Sequence, residues 1–65
     1  MDRRLAEQRR SLDLTQAKLA ELVGVSRQTI ISIERGRFSP SVLLAIRIAQ
    51  TLNTSVEALF APPGE

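Results

Sequence analysis

The chain has 65 residues and a hydrophobic fraction of 43%, which predicts one globular domain and excludes a disordered chain. It contains no Cys and no His, which excludes disulfide bonds and argues against a structural zinc site, so we predict no metal and no cofactor. No apolar run reaches the length of a membrane span and no signal peptide is visible, so we expect a soluble cytoplasmic protein with no membrane partner.

Positive charge is concentrated in the first part of the chain. The net charge is only +2, but residues 1–38 hold eight basic against five acidic side chains, whereas residues 39–65 hold one basic and two acidic ones. Seven of those eight basic residues are Arg, whose guanidinium group can bind phosphate or guanine through two parallel hydrogen bonds. This distribution favours a nucleic-acid partner more than the net charge does.

The first predicted helix covers residues 2–12 and carries a charge on its inward face. Leu5, Arg9 and Leu12 share that face at helical spacing, and Asp13 ends the helix. Two interpretations of Arg9 stay open: its guanidinium escapes to water, or it pairs with a buried acid, for which Glu34 is the best candidate. The other arginines of this helix lie on different faces and are expected to be solvated: Arg3, Arg4 and Arg10.

The second predicted helix covers residues 16–23, with Thr15 as its N-cap. Its inward face consists of Leu19, Ala20 and Val23. Gly24 ends this helix because glycine adopts the left-handed conformation at little cost. We therefore expect a tight turn between this helix and the next.

The third helix is predicted over residues 27–35, with Ser26 as its N-cap. Ile30 and Ile33 point inward, and Glu34 lies at the boundary of the core. The opposite face is polar, able to hydrogen-bond and free of acids, which suits contact with DNA. It carries Arg27, Gln28, Thr29, Ser32 and Arg35.

The rest of the chain is predicted as a loop, two further helices and a tail. Phe38 is expected to fold back on the core from the loop at 37–40. A fourth helix, capped by Ser41, is predicted to end at Asn53, and a fifth, capped by Ser55, covers residues 56–60. We assign residues 1–61 to one domain and residues 62–65 to a flexible C-terminal tail.

The last two helices carry more apolar surface than one small core requires. We predict that part of this set forms a homodimer interface, which would hold two copies of the third helix about 34 Å apart. The alternative is that Val56, Leu59 and Phe60 only close the core of one chain. The predicted interface residues are Leu43, Ile46, Val56, Leu59 and Phe60.

Several motifs together resemble the Cro/C1-type (Xre-like) domain of phage repressors. They are LTQ (14–16), LAELVGVSRQTI (19–30), IERG (33–36), SPS (39–41) and SVEALF (55–60). The resemblance covers residues 5–60 and implies an all-α fold, a five-helix phage-repressor-like bundle containing a helix-turn-helix. The chain departs from the pattern at Gln8 and Asp13, where an apolar residue and Gly are common, and at Leu22 and Leu43, where charges are common.

The resemblance also implies roles for single residues. The start of the third helix reads base edges, the start of the second contacts a phosphate, and the loop after the third helix borders the groove. Arg9 and Glu34 match a buried ion pair of phage repressors. The implied DNA-binding residues are Gln16, Ser26, Arg27, Gln28, Thr29, Ser32, Arg35, Arg37 and Ser39.

These observations predict a sequence-specific regulator of transcription that represses as a homodimer on a palindromic double-stranded operator. Two alternatives stay open: an antitoxin whose protein partner is a toxin, and a restriction-modification controller protein. We predict that the chain is not an enzyme, because its hydroxyl groups lie at predicted helix caps with no base beside them. With 65 residues, we expect no effector domain.

Overall fold

The fold is described from a computed structural model, which describes residues 3–61. The described part consists of five helices and contains no strand: α1 (Arg4–Ser11), α2 (Gln16–Val23), α3 (Arg27–Glu34), α4 (Val42–Thr51) and α5 (Val56–Phe60). The all-α, five-helix prediction is confirmed, while the predicted tail at 62–65 and the helix start at Asp2 lie outside the described residues. No helix in this part of the chain is long and apolar enough to cross a membrane.

Four of the helices begin at a hydroxyl side chain that accepts a backbone hydrogen bond. The hydroxyls of Thr15, Ser26, Ser41 and Ser55 each accept from the N–H three residues later, at 3.0–3.1 Å. Such a bond satisfies a backbone donor that the helix itself cannot, and it is typically worth about 1 kcal/mol. The four predicted N-caps are therefore confirmed.

Left-handed residues follow the helices where the chain turns. Asp13 and Asn53 both have φ of +58°, and Gly24 and Gly36 have φ of +81° and +73°. Asn, like Asp, tolerates this conformation because its short polar side chain can bond locally. Helix α4 ends at Thr51, so the predicted end at Asn53 was two residues too late. Asn53 instead forms the left-handed turn that follows the helix.

The core lies where α2 meets α3 and α4, and α5 closes it by packing on α1 and α4. Leu19, Ile30, Ile48 and Leu52 are fully buried at its centre. The inward face predicted for α2 is confirmed, because Leu19, Ala20 and Val23 are all buried. The remaining members of the buried cluster are Leu5, Ala20, Val23, Ile33, Ala49 and Leu59.

Helix α1 is joined to the C-terminal part by two polar contacts. Gln8 Nε2 donates to the carbonyl oxygen of Leu52 at 2.8 Å, and the guanidinium of Arg4 donates to the carbonyl oxygen of Ala61. The prediction that Arg4 is solvated was wrong, because the residue is half-buried and its guanidinium bonds to the backbone just after α5. The inward position suits Gln8 because its amide satisfies a carbonyl group at the end of α4 that has no partner within the helix.

Phe38 does not join the core, which corrects the prediction for this residue. Its side chain remains 49% exposed at the edge of a cavity of about 170 Å³, beside Ile33 and Phe60. The loop that carries it follows the left-handed Gly36 and runs over the surface. A ring on such a loop covers the core edge without entering it.

Candidate nucleic-acid interface

Helix α3 is held at a fixed angle by the turn that joins it to α2. The N–H groups of Gly24 and Val25 both donate to the carbonyl oxygen of Ala20, at 2.9 and 3.0 Å. Val25 is half-buried against the core. Because α2 packs directly on α3, this turn leaves the outer face of α3 free.

The two faces of α3 differ sharply in polarity. Ile30 and Ile33 are buried, with 0% and 7% of their surface exposed. The outer face carries Arg27 and Gln28, both exposed, and Thr29, which is half-buried. Ser32 and Ile31 are also half-buried further along the helix, so the first turn offers the most accessible polar groups.

The first turn of α3 is ordered by two hydroxyl groups. Ser26 Oγ accepts the N–H of Thr29 at 3.1 Å and lies 2.9 Å from Thr29 Oγ1. Ser26 thus caps the helix and also fixes the Thr29 hydroxyl. The residues predicted to read base edges therefore lie in a helical turn that these hydrogen bonds hold in place.

Glu34 lies at the centre of a buried polar cluster that joins three helices. Its Oε2 accepts from Arg9 Nε at 2.7 Å, and its Oε1 accepts from Arg9 Nη2 at 3.3 Å and from Gln16 Nε2 at 2.9 Å. Arg9 Nη1 also donates to the carbonyl oxygen of Leu14 at 2.8 Å. The side chains of Arg9 and Glu34 are each only 7% exposed.

This cluster has a consequence for charge. Glu34 is the single acid of α3, and it is turned inward and neutralised by Arg9. The structure thus brings together the two residues predicted to pair. Gln16, which was predicted to contact a phosphate, donates one amide hydrogen inward to Glu34. This bond joins α2 to α3.

The basic residues after α3 remain beside its last turn. Gly36 turns the chain with φ of +73°, and the N–H of Arg37 donates to the carbonyl oxygen of Ser32 at 2.9 Å. Arg35, Arg37 and Ser39 are all exposed, so their side chains are accessible to a partner.

The predicted dimer residues divide into exposed and buried members. Leu43 and Ile46 are 60% and 39% exposed, whereas Leu59 is 4% exposed and belongs to the core of the chain. Placing Leu59 at the interface is therefore corrected. Val56 and Phe60 are half-buried and line a groove of about 330 Å³.

The same groove includes Val42, which is 78% exposed and was absent from the predicted interface. The sequence already places Val42 at the start of α4, next to the predicted interface residue Leu43, so Val42 could have been included in the predicted interface. Three exposed apolar residues thus form the apolar flank of α4: Val42, Leu43 and Ile46.

Arg3, the N-cap of α1, and Arg10, within α1, lie closer to α3 than the sequence indicated. Arg3 and Arg10 line a cavity of about 340 Å³ together with Gln16 and Arg35. Their spacing of seven residues places them on one helix face, but only the packing of α1 shows which neighbour that face meets. Among residues 3–61, no group of three or more His, Cys, Asp or Glu could hold a metal ion.

Sequence relatives of the chain carry names that refer to transcription. The family model HTH_3, described as helix-turn-helix, matches residues 5–59. An uncharacterised HTH-type transcriptional regulator from Methanothermobacter thermautotrophicus is 54% identical over 57 residues, which cover 86% of this chain and 83% of that protein.

Solved structures show the same fold in two settings. The restriction-modification controller protein C.AhdI from Aeromonas hydrophila superposes with a TM-score of 0.82 at 33% identity, covering 89% of this chain and 88% of that one. Hydroxypropylphosphonic acid epoxidase from S. wedmorenis gives the same TM-score and identity, but the match covers 92% of this chain and only 32% of the epoxidase.

Proposed function

Because the chain belongs to the HTH_3 family of helix-turn-helix proteins, we propose that it regulates transcription by binding a specific sequence of double-stranded DNA. The predicted Cro/C1-type resemblance is confirmed by this membership. In the proposal, α3 enters the major groove and α2 lies across the DNA backbone.

The observation that carries the proposal is the charge of the α3 surface. The exposed side chains of its first turn are cationic or neutral, and its one acid is buried and paired with Arg9. DNA carries one negative charge per about 1.7 Å of its axis, so an exposed acid on this face would oppose binding. Because Glu34 is buried and paired with Arg9, its negative charge does not face the DNA.

The residues of this face have different proposed roles. Gln28 suits a bidentate bond to adenine, and Arg27 suits guanine or a phosphate. Arg35 and Arg37, at the end of the helix, suit phosphate contacts, which position the protein without reading sequence. Thr29 and Ser32 add hydroxyl groups that can bond a base or a phosphate.

We propose that the protein acts as a homodimeric repressor on a palindromic operator. A single α3 reaches too few base pairs to be selective, and two copies would read half-sites about 34 Å apart. The apolar flank of α4 supports this proposal, because it is exposed in the single chain and polar residues are more usual at such positions.

A second candidate function is control of a restriction-modification system. It is favoured by the similarity to C.AhdI, which extends over most of both chains. A gene for a restriction endonuclease beside the gene for this chain would support this candidate. We propose no catalytic role, because the similarity to the epoxidase concerns about a third of that enzyme.

The test begins with duplexes selected from a random DNA pool by the parent protein. Gln28→Ala should cost about 1–3 kcal/mol on the selected sequence and relax the preference at one base pair. Arg37→Ala should weaken binding to selected and scrambled duplexes alike. It should also reduce the slope of log affinity against log salt by about one unit for each bound copy, or about two for the proposed dimer.

Arg47→Ala, at an exposed residue of α4, serves as the matched control. It should bind the selected duplex as the parent does. If Gln28→Ala and Arg37→Ala also bind every duplex as the parent does, the proposed interface is wrong.

A further inference from the structure

The cavity beside α3 is lined by one acid and three arginines. Gln16 and Glu34 lie among its lining residues, and the charge of Glu34 is offset by Arg9. The other charged residues of the lining are Arg3, Arg10 and Arg35, which are all exposed. The cavity is therefore an accessible and strongly cationic surface.

The three guanidinium groups at this cavity have no partner among residues 3–61. Their backbone groups are bonded, but neither a hydrogen bond nor an ion pair within that part of the chain engages the side chain of Arg3, Arg10 or Arg35. Glu7, the single acid of α1, is exposed, does not line the cavity and pairs with none of them. Grouped like charges repel one another, and an anion bound between them would relieve that repulsion.

We propose that Arg3 and Arg10 form a second contact with the DNA backbone, outside the helix-turn-helix, on the DNA that α3 reads. This inference rests on the proposed function. It follows from the shared cavity. Gln16 is the first residue of α2 and Arg35 is the C-cap of α3, so a phosphate beside either residue also lies near α1.

The dimensions of α1 suit more than one phosphate. Arg3 and Arg10 are seven residues apart, which corresponds to about 10 Å along a helix. One strand of duplex DNA carries a phosphate every ~3.4 Å of axis, so this face can meet two phosphates of the same strand. Guanidinium groups bind phosphate oxygens in pairs, which favours Arg at both positions.

The contact would add affinity without adding sequence preference. Phosphate contacts position a protein on the duplex, whereas base edges specify the sequence. Helix α1 would thus clamp the backbone at the side of the groove while α3 reads the bases. Arg9, on the inward face of the same helix, would connect this clamp to Glu34 of α3.

The test compares the double variant Arg3→Gln/Arg10→Gln with the parent on selected and scrambled duplexes. Binding is measured between ~50 and ~200 mM salt, and the slope of log affinity against log salt is fitted. Each lost phosphate contact lowers that slope by about 0.9, so the double variant should lose about two units for each bound copy, or about four for the proposed dimer, on both duplexes. The ratio between the two duplexes should stay as in the parent.

Arg47→Gln is the matched control, because it removes an exposed positive charge from α4, away from the cavity lining. Its salt slope should equal that of the parent. Circular dichroism of each variant establishes that the helices are retained.

Each other outcome has a distinct meaning. If the parent prefers its selected duplex and the double variant keeps the parent's slope, the α1 contact is refuted and the proposed function stands. If the parent shows no preference for any duplex, the proposed function and the α1 contact both fail. If millimolar inorganic phosphate shifts NMR signals of the parent but not of the double variant, while the DNA slope is unchanged, the cavity binds free phosphate and the DNA contact is refuted.

Discussion

Glu34 accepts hydrogen bonds from two residues that lie on different helices. Arg9 comes from α1 and Gln16 from the first residue of α2, so one carboxylate joins α1, α2 and α3. Because its surroundings are largely dry, removing one member leaves the others buried without a partner. A buried pair of this kind need not stabilise the fold more than apolar residues would, but breaking it is costly.

We predict that Glu34→Ala lowers the free energy of unfolding by about 3–5 kcal/mol, measured by urea denaturation. The cost arises because the Arg9 guanidinium stays buried with the Leu14 carbonyl as its remaining partner. The exposed Lys18–Glu21 pair, at 3.2 Å, provides the control. Glu21→Ala should cost less than about 1 kcal/mol, since exposed pairs contribute little.

The apolar replacement Arg9→Met/Glu34→Leu keeps this prediction testable if Glu34→Ala does not fold. The double variant should fold and be more stable than Glu34→Ala, because neither residue then leaves a charge buried. Equal losses from Glu34→Ala and Glu21→Ala would show that the cluster contributes no more than a surface pair.

At the scale of helices, α3 and α4 begin with the same cap geometry but have different proposed tasks. The hydroxyls of Ser26 and Ser41 each accept a backbone N–H at 3.1 Å. We predict that Ser26→Ala and Ser41→Ala each lower the free energy of unfolding by about 1 kcal/mol. Urea denaturation at equal protein concentration measures both losses.

The two cap variants should differ in DNA binding. Ser26→Ala also frees the Thr29 hydroxyl, which lies 2.9 Å from Ser26 Oγ. We expect roughly five-fold weaker binding to the selected duplex, which corresponds to about 1 kcal/mol, while Ser41→Ala binds as the parent does. Equal binding by both folded variants would contradict a role for the α3 cap in recognition.

How far the sequence predicts this molecule depends on whether a feature is local. The bounds of α2 and α5 were predicted correctly because Thr15, Gly24 and Ser55 act through nearby backbone. The position of Phe38 was not, because it depends on how the surface around its loop is shaped. Likewise Leu59 could be assigned to the core only once α5 was seen to pack on α1 and α4.

The candidate site divides in the same way. The polar face of α3 follows from helical spacing, and it carries most of the predicted DNA contacts. The approach of α1 to that face depends on the packing of distant segments. Arg3 and Arg10 were therefore predicted as solvated, and their place beside Gln16 and Arg35 became visible only in the fold.

At the scale of the whole molecule, the proposed assembly joins stability to recognition. A chain of 65 residues buries only about 60% of the surface of its unfolded state, so covering the apolar flank of α4 with a second copy would add to a small core. Two copies would also present two α3 helices to the DNA. Because dimer formation depends on concentration, DNA occupancy would rise more steeply than in proportion to the amount of protein.

We predict that Leu43→Lys abolishes the dimer without unfolding the chain. Leu43 is 60% exposed, so the change should alter the free energy of unfolding of the single chain by no more than about 0.5 kcal/mol. In sedimentation at high micromolar concentration the parent should be dimeric and the variant monomeric.

Leu22→Lys is the control, because Leu22 is 51% exposed on α2, and it should remain dimeric. A parent that sediments only as a monomer would refute the dimer of the free protein, and a dimeric Leu43→Lys would place the interface elsewhere than on α4.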